Sequence, residues 1–151
     1  MASDNKAREI ISSLIEEMQD AKELCDHAVQ ALHIVDTSFF GDNNRNMDFA
    51  IHDGRRALFK NSDVQALEAL LKKLDSLSRQ GELPEPLENL AAQCRISADS
   101  LKNIFGDETS WPRAELPKIE DVRPVQEIFR KTSRLIGKTI RDAFGKAGSS
   151  S

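Results

Sequence analysis

Hydrophobic positions between residues 62 and 105 repeat with the spacing of two amphipathic helices. Leucines recur every three or four residues from Leu67 to Leu77, and Gly81 ends this pattern. Neither apolar stripe can be buried by its own helix, so the two helices must pack on each other or on a partner. The pattern therefore predicts a helical bundle. The second stripe follows a proline-containing turn and consists of Leu87, Leu90, Ala91, Cys94, Ala98, Leu101 and Phe105.

A coiled-coil-like seam runs through the first part of the chain. Its apolar residues alternate between spacings of four and three, which is typical of a helix that packs along its neighbours over its whole length. The pattern predicts one long first helix from Ser3 or Asp4 to about Thr37. The seam consists of Leu14, Met18, Ala21, Cys25, Ala28, Leu32 and Val35.

Shorter elements connect these two regions. Apolar residues within Met47–Lys60 predict a second helix, which Gly54 weakens because glycine is a poor helix former. Ser62 and Gln65 have the spacing of a capping box, so we expect the third helix to begin at Ser62. Proline is tolerated in a first helical turn, and the fourth helix is therefore predicted to begin at Glu85.

The last part of the chain predicts a linker, a helix and a tail. Two prolines interrupt residues 106–121, apolar positions recur through residues 122–145, and residues 146–151 are small and polar. We interpret these segments as a linker, a basic amphipathic helix packed on the bundle of residues 1–105, and a flexible tail. The predicted fold is all-α, an antiparallel bundle of four to five helices with a long first helix.

Charge is distributed unevenly along the chain. The net charge is −4, but residues 122–151 carry +5 and the remaining residues carry −9. An acidic body with a basic final helix indicates that this helix docks on the body, on a membrane or on another acidic surface. We therefore expect docking of a partner or an anionic membrane through Phe129, Arg130, Lys131, Arg134, Lys138, Arg141 and Phe144.

Targeting signals and cysteine usage indicate a compartment. The N-terminus lacks the apolar stretch of a secretory signal, and no apolar run approaches the roughly 20 residues that span a bilayer. Cys25 and Cys94 both fall on apolar helix faces, as buried free thiols in a reducing compartment do. These features predict a cytoplasmic protein.

One segment is similar to the core of a DNA-binding helix-turn-helix. Residues 90–101 have a small residue in the first half and Ile-Ser at the start of the second. Arg95, however, occupies the turn position where glycine is common, and the apolar stripe continues through it without a change of phase. One continuous helix is the preferred interpretation, with Arg95 and Ser97 on its solvent side. A helix-turn-helix DNA-binding protein is an alternative, and nucleic acid is not the expected partner.

Recognisable catalytic and metal-binding patterns are incomplete. Acidic and amide residues between Asp42 and Asp53 follow a calcium-loop spacing, but Met47 stands where that loop requires glycine. The three histidines have no ligand-like spacing with one another or with the cysteines, and there is no nucleophile elbow. We therefore expect no catalytic, cofactor-binding or metal-binding residues, and a protein that is not an enzyme.

Residues 67–105 resemble the N-terminal helical domains of fungal NLR-like signalling proteins, which precede a NACHT-type nucleotide-binding domain. The shared features are a leucine-rich helix, a short proline-containing turn and a helix containing Leu87, Leu90, Ala91, Cys94, Ala98 and Leu101. This resemblance implies a helical adaptor or death-inducing effector domain that self-associates or meets a membrane.

The sequence leads to one hypothesis with two alternatives. We expect a non-enzymatic, adaptor-like signalling module whose apolar helix faces bind partner helices and whose basic last helix adds charge-dependent docking. The partner is expected to be another protein or a second copy of the chain. The alternatives are the helix-turn-helix DNA-binding protein and a membrane-active domain that acts through the basic helix.

Overall fold

The computed structural model describes the backbone of residues 2–39, 45–61, 63–105 and 119–149, and the side chains of residues 6, 8–36, 50–61, 63–105 and 122–143. This part of the chain is helical and contains no strand, which confirms the all-α class. It has six helices, where four to five were predicted. They are α1 (Ala2–Ser13), α2 (Ile15–Phe39), α3 (Arg45–Asn61), α4 (Ala66–Arg79), α5 (Glu85–Phe105) and α6 (Ile119–Ser149).

The additional helix arises because the predicted long first helix is divided at Leu14. The Leu14 amide is shared between the carbonyls of Ile10 and Ile11, at 3.0 and 3.1 Å, and the Ser13 hydroxyl also donates to the Ile10 carbonyl at 2.7 Å. A serine that bonds back to its own helix bends it. The helical ladder resumes at once, since the Met18 amide donates to the Leu14 carbonyl at 2.8 Å.

Helix α2 lies at the centre of the bundle and contacts α1, α3, α4 and α6. Every residue of the predicted seam is buried, so this part of the prediction is confirmed. Leu24 and Ala31 widen the buried face, because α2 packs on several neighbouring helices rather than on one partner. The hydrophobic effect of this shared core holds the helices together.

Helices α2 and α3 approach closely at Gly54. A Cβ atom at this position would lie 2.7 Å from Val35 Cγ2 and 2.9 Å from the Ala31 carbonyl oxygen. Only glycine fits against the backbone of α2 at this distance, so the residue that weakens α3 as a helix also permits its packing. Arg55, the next residue, donates from Nε to the Phe105 carbonyl at 3.0 Å and caps the C-terminus of α5.

Helices α4 and α5 form an antiparallel pair. Two ion pairs fix their register, Arg95–Asp75 at 2.6 Å and Lys102–Glu68 at 2.8 Å. Gly81 ends α4 with a φ of 71°, while the Glu82 amide donates to the Leu77 carbonyl at 3.0 Å, as in a Schellman motif. The predicted stop at Gly81 is therefore confirmed.

The start of α4 differs from the prediction. Ser62 lies outside the described residues, and the helix begins at Ala66 with Gln65 as its N-cap, so the predicted capping box is wrong. Asp63 organises the entry instead. Its Oδ1 accepts from the Gln65 amide at 2.9 Å, and its carbonyl accepts from the Ala66 amide at 3.0 Å.

The ends of α6 also extend beyond the predicted helix of residues 122–145. The helix begins at Ile119 and its backbone continues to Ser149, so most of the segment predicted as a flexible tail is helical. The linker prediction for residues 106–118 lies outside the described residues. Among the described helices, none is both long and apolar enough to cross a bilayer.

Candidate functional site

The apolar side of α6 faces the interior of the bundle. Val122, Phe129 and Ile136 recur every seven residues and are fully buried, where α6 packs on α2 and α5. Phe129 was expected to dock on a partner or a membrane, and the structure instead places it in the core. The side chain of Phe144, the other aromatic residue predicted for docking, lies outside the described residues.

Polar contacts fix α6 against α2. Ser133 Oγ donates to Asp26 Oδ1 at 2.5 Å, and Gln126 Nε2 donates to the Val29 carbonyl at 3.2 Å. The contacted residue numbers fall along α2 as they rise along α6, so the two helices are antiparallel. An ion pair between Arg123 Nε and Asp36 Oδ1, at 3.3 Å, continues this register towards the start of α6.

A buried polar cluster fixes α6 against α5. The Thr132 hydroxyl donates to the Ile128 carbonyl at 2.8 Å, and its oxygen accepts from Gln93 Nε2 at 3.1 Å. Ser97 Oγ also hydrogen bonds to Thr132 Oγ1, and because the Thr132 proton is already used, Ser97 is the donor. No buried side-chain nitrogen or oxygen in the described part of the chain lacks a partner. The cluster therefore sets the rotation of α6 rather than forming an open polar site.

The predicted cations of α6 form a band on the opposite side of the helix from Phe129. At 3.6 residues per turn they fall on one face, and the first and last are about 16 Å apart along the helix axis. All five side chains are exposed. We call this band the basic stripe, and it consists of Arg130, Lys131, Arg134, Lys138 and Arg141.

Most of the basic stripe has no counter-charge within the described residues. Arg130 Nη1 pairs with Glu127 Oε1 at 2.8 Å, one turn earlier on the same helix. Lys131, Arg134, Lys138 and Arg141 form no ion pair with another described side chain. The structure therefore brings together the predicted cations and separates them from the predicted aromatic residue Phe129.

The two cysteines are buried free thiols, as predicted. Burial raises the pKa of the Cys94 thiol to about 12. Burial also raises the pKa of Cys25, and the proximity of Cys94 raises it further. A thiol with a raised pKa stays protonated near neutral pH, and the thiolate is the reactive form. Neither cysteine is therefore activated as a nucleophile.

The helix-turn-helix alternative is wrong for residues 90–101. Helix α5 continues without a break through Arg95, whose guanidinium is committed to Asp75 of α4. Arg95 is exposed as predicted, but Ser97 is fully buried against Thr132 rather than on the solvent side. Nothing in the local sequence around Ser97 indicates its partner, because Thr132 lies on another helix.

The described residues form no cluster of metal-ligating side chains. No group of three or more His, Cys, Asp or Glu side chains gathers at one point among the described residues. Asp42 and Asn44, the first two positions of the calcium-like spacing, lie outside those residues. Its later positions, Asn46, Asp48 and Asp53, lie in α3 and have helical backbone rather than the loop that the spacing requires.

Comparison of the chain with models of known protein families, with curated proteins and with solved structures found no significant match.

Proposed function

We propose that this chain is a non-enzymatic, adaptor-like interaction module that binds an anionic protein surface through the basic stripe of α6. One observation supports this proposal above all others. Four exposed cations of α6 have no counter-charge among the described residues, on a helix whose opposite side is already buried. Clustered charge of one sign attracts a complementary surface and speeds association with it.

The surfaces that remain exposed favour docking through charged side chains rather than through apolar helix faces. The apolar faces of α4, α5 and α6 are buried within the bundle, so partner helices cannot reach them without opening the fold. Among the described residues, Ile96 is the exposed large hydrophobic side chain, at 48% of its full area. A single exposed isoleucine is ordinary on a protein surface. We therefore assign the docking role to the cations.

A protein partner is favoured over the alternative of an anionic membrane. A helix that binds at a membrane interface inserts its apolar side among the lipids. In α6 that side contains Phe129 and Ile136, which are fully buried. Insertion would require α6 to leave the bundle and break the bonds of Ser133 and Gln126 to α2. An acidic protein surface needs no such rearrangement.

The family resemblance supports a signalling role in general terms only. Its residues from Leu87 to Leu101 are packing positions, and all of them are buried. They are consistent with a helical scaffold of the kind found in NLR-like adaptor or effector domains. The recognition chemistry of this proposal comes from α6 instead, which the resemblance does not describe residue by residue.

Fluorescence anisotropy with a labelled oligoglutamate peptide tests the proposal. The peptide stands for an anionic protein surface, and vesicles that contain phosphatidylserine test the membrane alternative in parallel. The test variant is Lys131→Glu/Arg134→Glu/Lys138→Glu. The matched control carries the same change of net charge on exposed residues of α3 and α4, as Arg56→Glu/Lys60→Glu/Lys72→Glu.

We expect the unmodified protein and the control to bind the peptide, with an affinity that falls as salt rises. The α6 variant should lose at least tenfold in affinity, which corresponds to about 1.4 kcal/mol. Equal binding by all three proteins would refute a specific role for the basic stripe. Binding to vesicles without binding to the peptide would instead favour the membrane alternative.

A further inference from the structure

Two cationic side chains from different helices meet over Gly137 of α6. A Cβ atom at this glycine would lie 3.2 Å from Cε of Lys22, on α2, and 3.3 Å from Nη1 of Arg141, on α6. Because both atoms are close to the same point, the end of the Lys22 side chain and the guanidinium of Arg141 are neighbours. The missing side chain of Gly137 leaves room for both. We call these two residues the Lys22–Arg141 pair.

Asp26 holds Lys22 in this place. Its Oδ2 accepts from Lys22 Nζ at 3.1 Å, and its Oδ1 accepts from Ser133 Oγ of α6 at 2.5 Å. The carboxylate therefore ties the Lys22 ammonium to α6, one turn before Gly137. An ammonium has three donor hydrogens, so the bond to Asp26 leaves donors for a further acceptor.

Positive charge exceeds negative charge around the Lys22–Arg141 pair. Asp26 is the counter-ion of Lys22 among the described residues, and Arg141 forms no ion pair with another described side chain. Arg134 lies seven residues before Arg141, on the same side of α6, and is exposed. Two like charges this close repel each other, and an anion between them would reverse that cost.

The geometry of the pair suits a phosphate group better than a carboxylate. Its two cations belong to different helices, so a ligand between them must present negative oxygens in two directions. A phosphate monoester carries a charge of about −1.5 to −2 at pH 7 and three strong acceptor oxygens. A carboxylate carries one charge and would only replace that of Asp26 at Lys22. Arginine also binds phosphate oxygens through two parallel N–H donors.

The surroundings of the pair suit a phosphate that belongs to a protein. The Lys22 side chain is 39% exposed and Arg141 is exposed, so a free phosphate ion would keep much of its water and bind weakly. The basic stripe runs for about 16 Å from Arg141, which is the length of about five residues of extended chain. An acidic segment that carries the phosphate would contact the pair and the stripe together, and the two contacts would reinforce each other.

We infer that the Lys22–Arg141 pair binds the phosphate of a phosphorylated serine or threonine in an acidic segment of a protein partner. This inference rests on the proposed function, because it names the chemical group that the anionic partner presents at the end of the basic stripe. It adds Lys22, which belongs to another helix, to the binding surface. Asp26 acts as a positioning residue for Lys22.

Fluorescence anisotropy with two labelled peptides tests the phosphate site. One is the oligoglutamate peptide of the previous test, and the other has the same length with a phosphoserine in place of its central glutamate. We expect the phosphopeptide to bind about tenfold more tightly at the same salt concentration. Vesicles that contain a phosphatidylinositol phosphate form a third arm, in which the phosphate belongs to a lipid.

Three variants locate the phosphate. Lys22→Ala should bind both peptides with similar affinity, because it removes one side of the pair and leaves the basic stripe intact. Lys22→Arg keeps the charge and the donors and should retain the preference for the phosphopeptide. The matched control is Lys131→Ala, which removes one charge from the stripe away from Gly137. It should weaken the binding of both peptides alike and leave their ratio unchanged.

The outcomes separate this inference from the proposed function. Equal binding of both peptides to the unmodified protein overturns the phosphate site and leaves the proposed function standing. Absence of binding to either peptide overturns the proposed function itself. A preference for the phosphopeptide that survives in Lys22→Ala overturns the assignment to the Lys22–Arg141 pair. Binding to the vesicles without a preference for the phosphopeptide overturns the assignment of the phosphate to a protein.

Discussion

Replacement of Gly54 by alanine tests whether close packing sets the distance between α2 and α3. The new Cβ would lie 2.7 Å from Val35 Cγ2, 2.9 Å from the Ala31 carbonyl oxygen and 3.3 Å from Phe105 Cε1. Val35 and Phe105 are fully buried and have little room to move. The Ala31 carbonyl belongs to the backbone of α2. The clash is therefore relieved only if α3 moves away from its neighbours.

Two opposing effects set the change in the free energy of unfolding of Gly54→Ala. Alanine improves the helix propensity of α3 by about 1 kcal/mol relative to glycine. Overpacking of a core costs about 1–3 kcal/mol and occasionally more. Two distances below 3.0 Å, one of them to backbone, place Gly54→Ala towards the upper end of that cost. We expect a net loss of about 1–2 kcal/mol in the free energy of unfolding.

Gly137→Ala is the matched control within α6. This glycine is also buried and lies inside a helix, but a Cβ here would approach Lys22 Cε at 3.2 Å and Arg141 Nη1 at 3.3 Å. Both atoms are near the ends of flexible side chains that can move aside into solvent. The propensity gain then dominates, and Gly137→Ala should stabilise the protein by about 0.5–1 kcal/mol.

Urea unfolding followed by circular dichroism measures both variants, and thermal melts give an independent check. For a chain of this size, 1 kcal/mol corresponds to about 2–4 °C in Tm. We expect Tm to fall for Gly54→Ala and to rise for Gly137→Ala. If Tm rose by a similar amount in both variants, a Cβ atom at position 54 would fit between α2 and α3. That result would refute the close packing at Gly54.

Two further predictions concern buried polar and thiol groups. Thr132→Val removes the oxygen that accepts hydrogen bonds from Gln93 and Ser97. This variant should lower the free energy of unfolding, measured in urea, by about 1–3 kcal/mol. Thr132→Ser keeps a hydroxyl group and should recover most of the lost stability. Because burial raises the pKa of Cys94 to about 12, a thiol reagent at pH 7 should label Cys25 and Cys94 only as the protein unfolds. Rapid labelling of the native protein would contradict their burial.

Periodic apolar residues made most of the helices predictable. The seam from Leu14 to Val35 and the stripe from Leu87 to Phe105 are buried as expected, because a helix that repeats apolar residues at this spacing has one side to bury. The division at Leu14 was not predictable in this way. It depends on shared backbone hydrogen bonds, and the apolar spacing continues through it unchanged.

The wrong predictions for Ser97 and Phe129 have a common cause. The residues that pack against one helix are distant from it in the sequence. Ser97 was assigned to the solvent side of one continuous helix, yet Thr132 of α6 supplies its hydrogen bond inside the protein. Phe129 was assigned to docking because cations flank it, yet it is fully buried in the core. The cations themselves were located correctly on the surface, since long charged side chains are seldom fully buried.

The antiparallel contact between α2 and α6 has a consequence for the order of folding. The bond from Ser133 to Asp26 joins residues 107 positions apart, and the pair Arg123–Asp36 spans 87. Contacts this distant close slowly, whereas the α4–α5 pair is local and forms early. During synthesis α2 therefore leaves the ribosome long before its partner exists. Until α6 has been synthesised, the apolar side of α2 that it covers is open to chaperones and to aggregation.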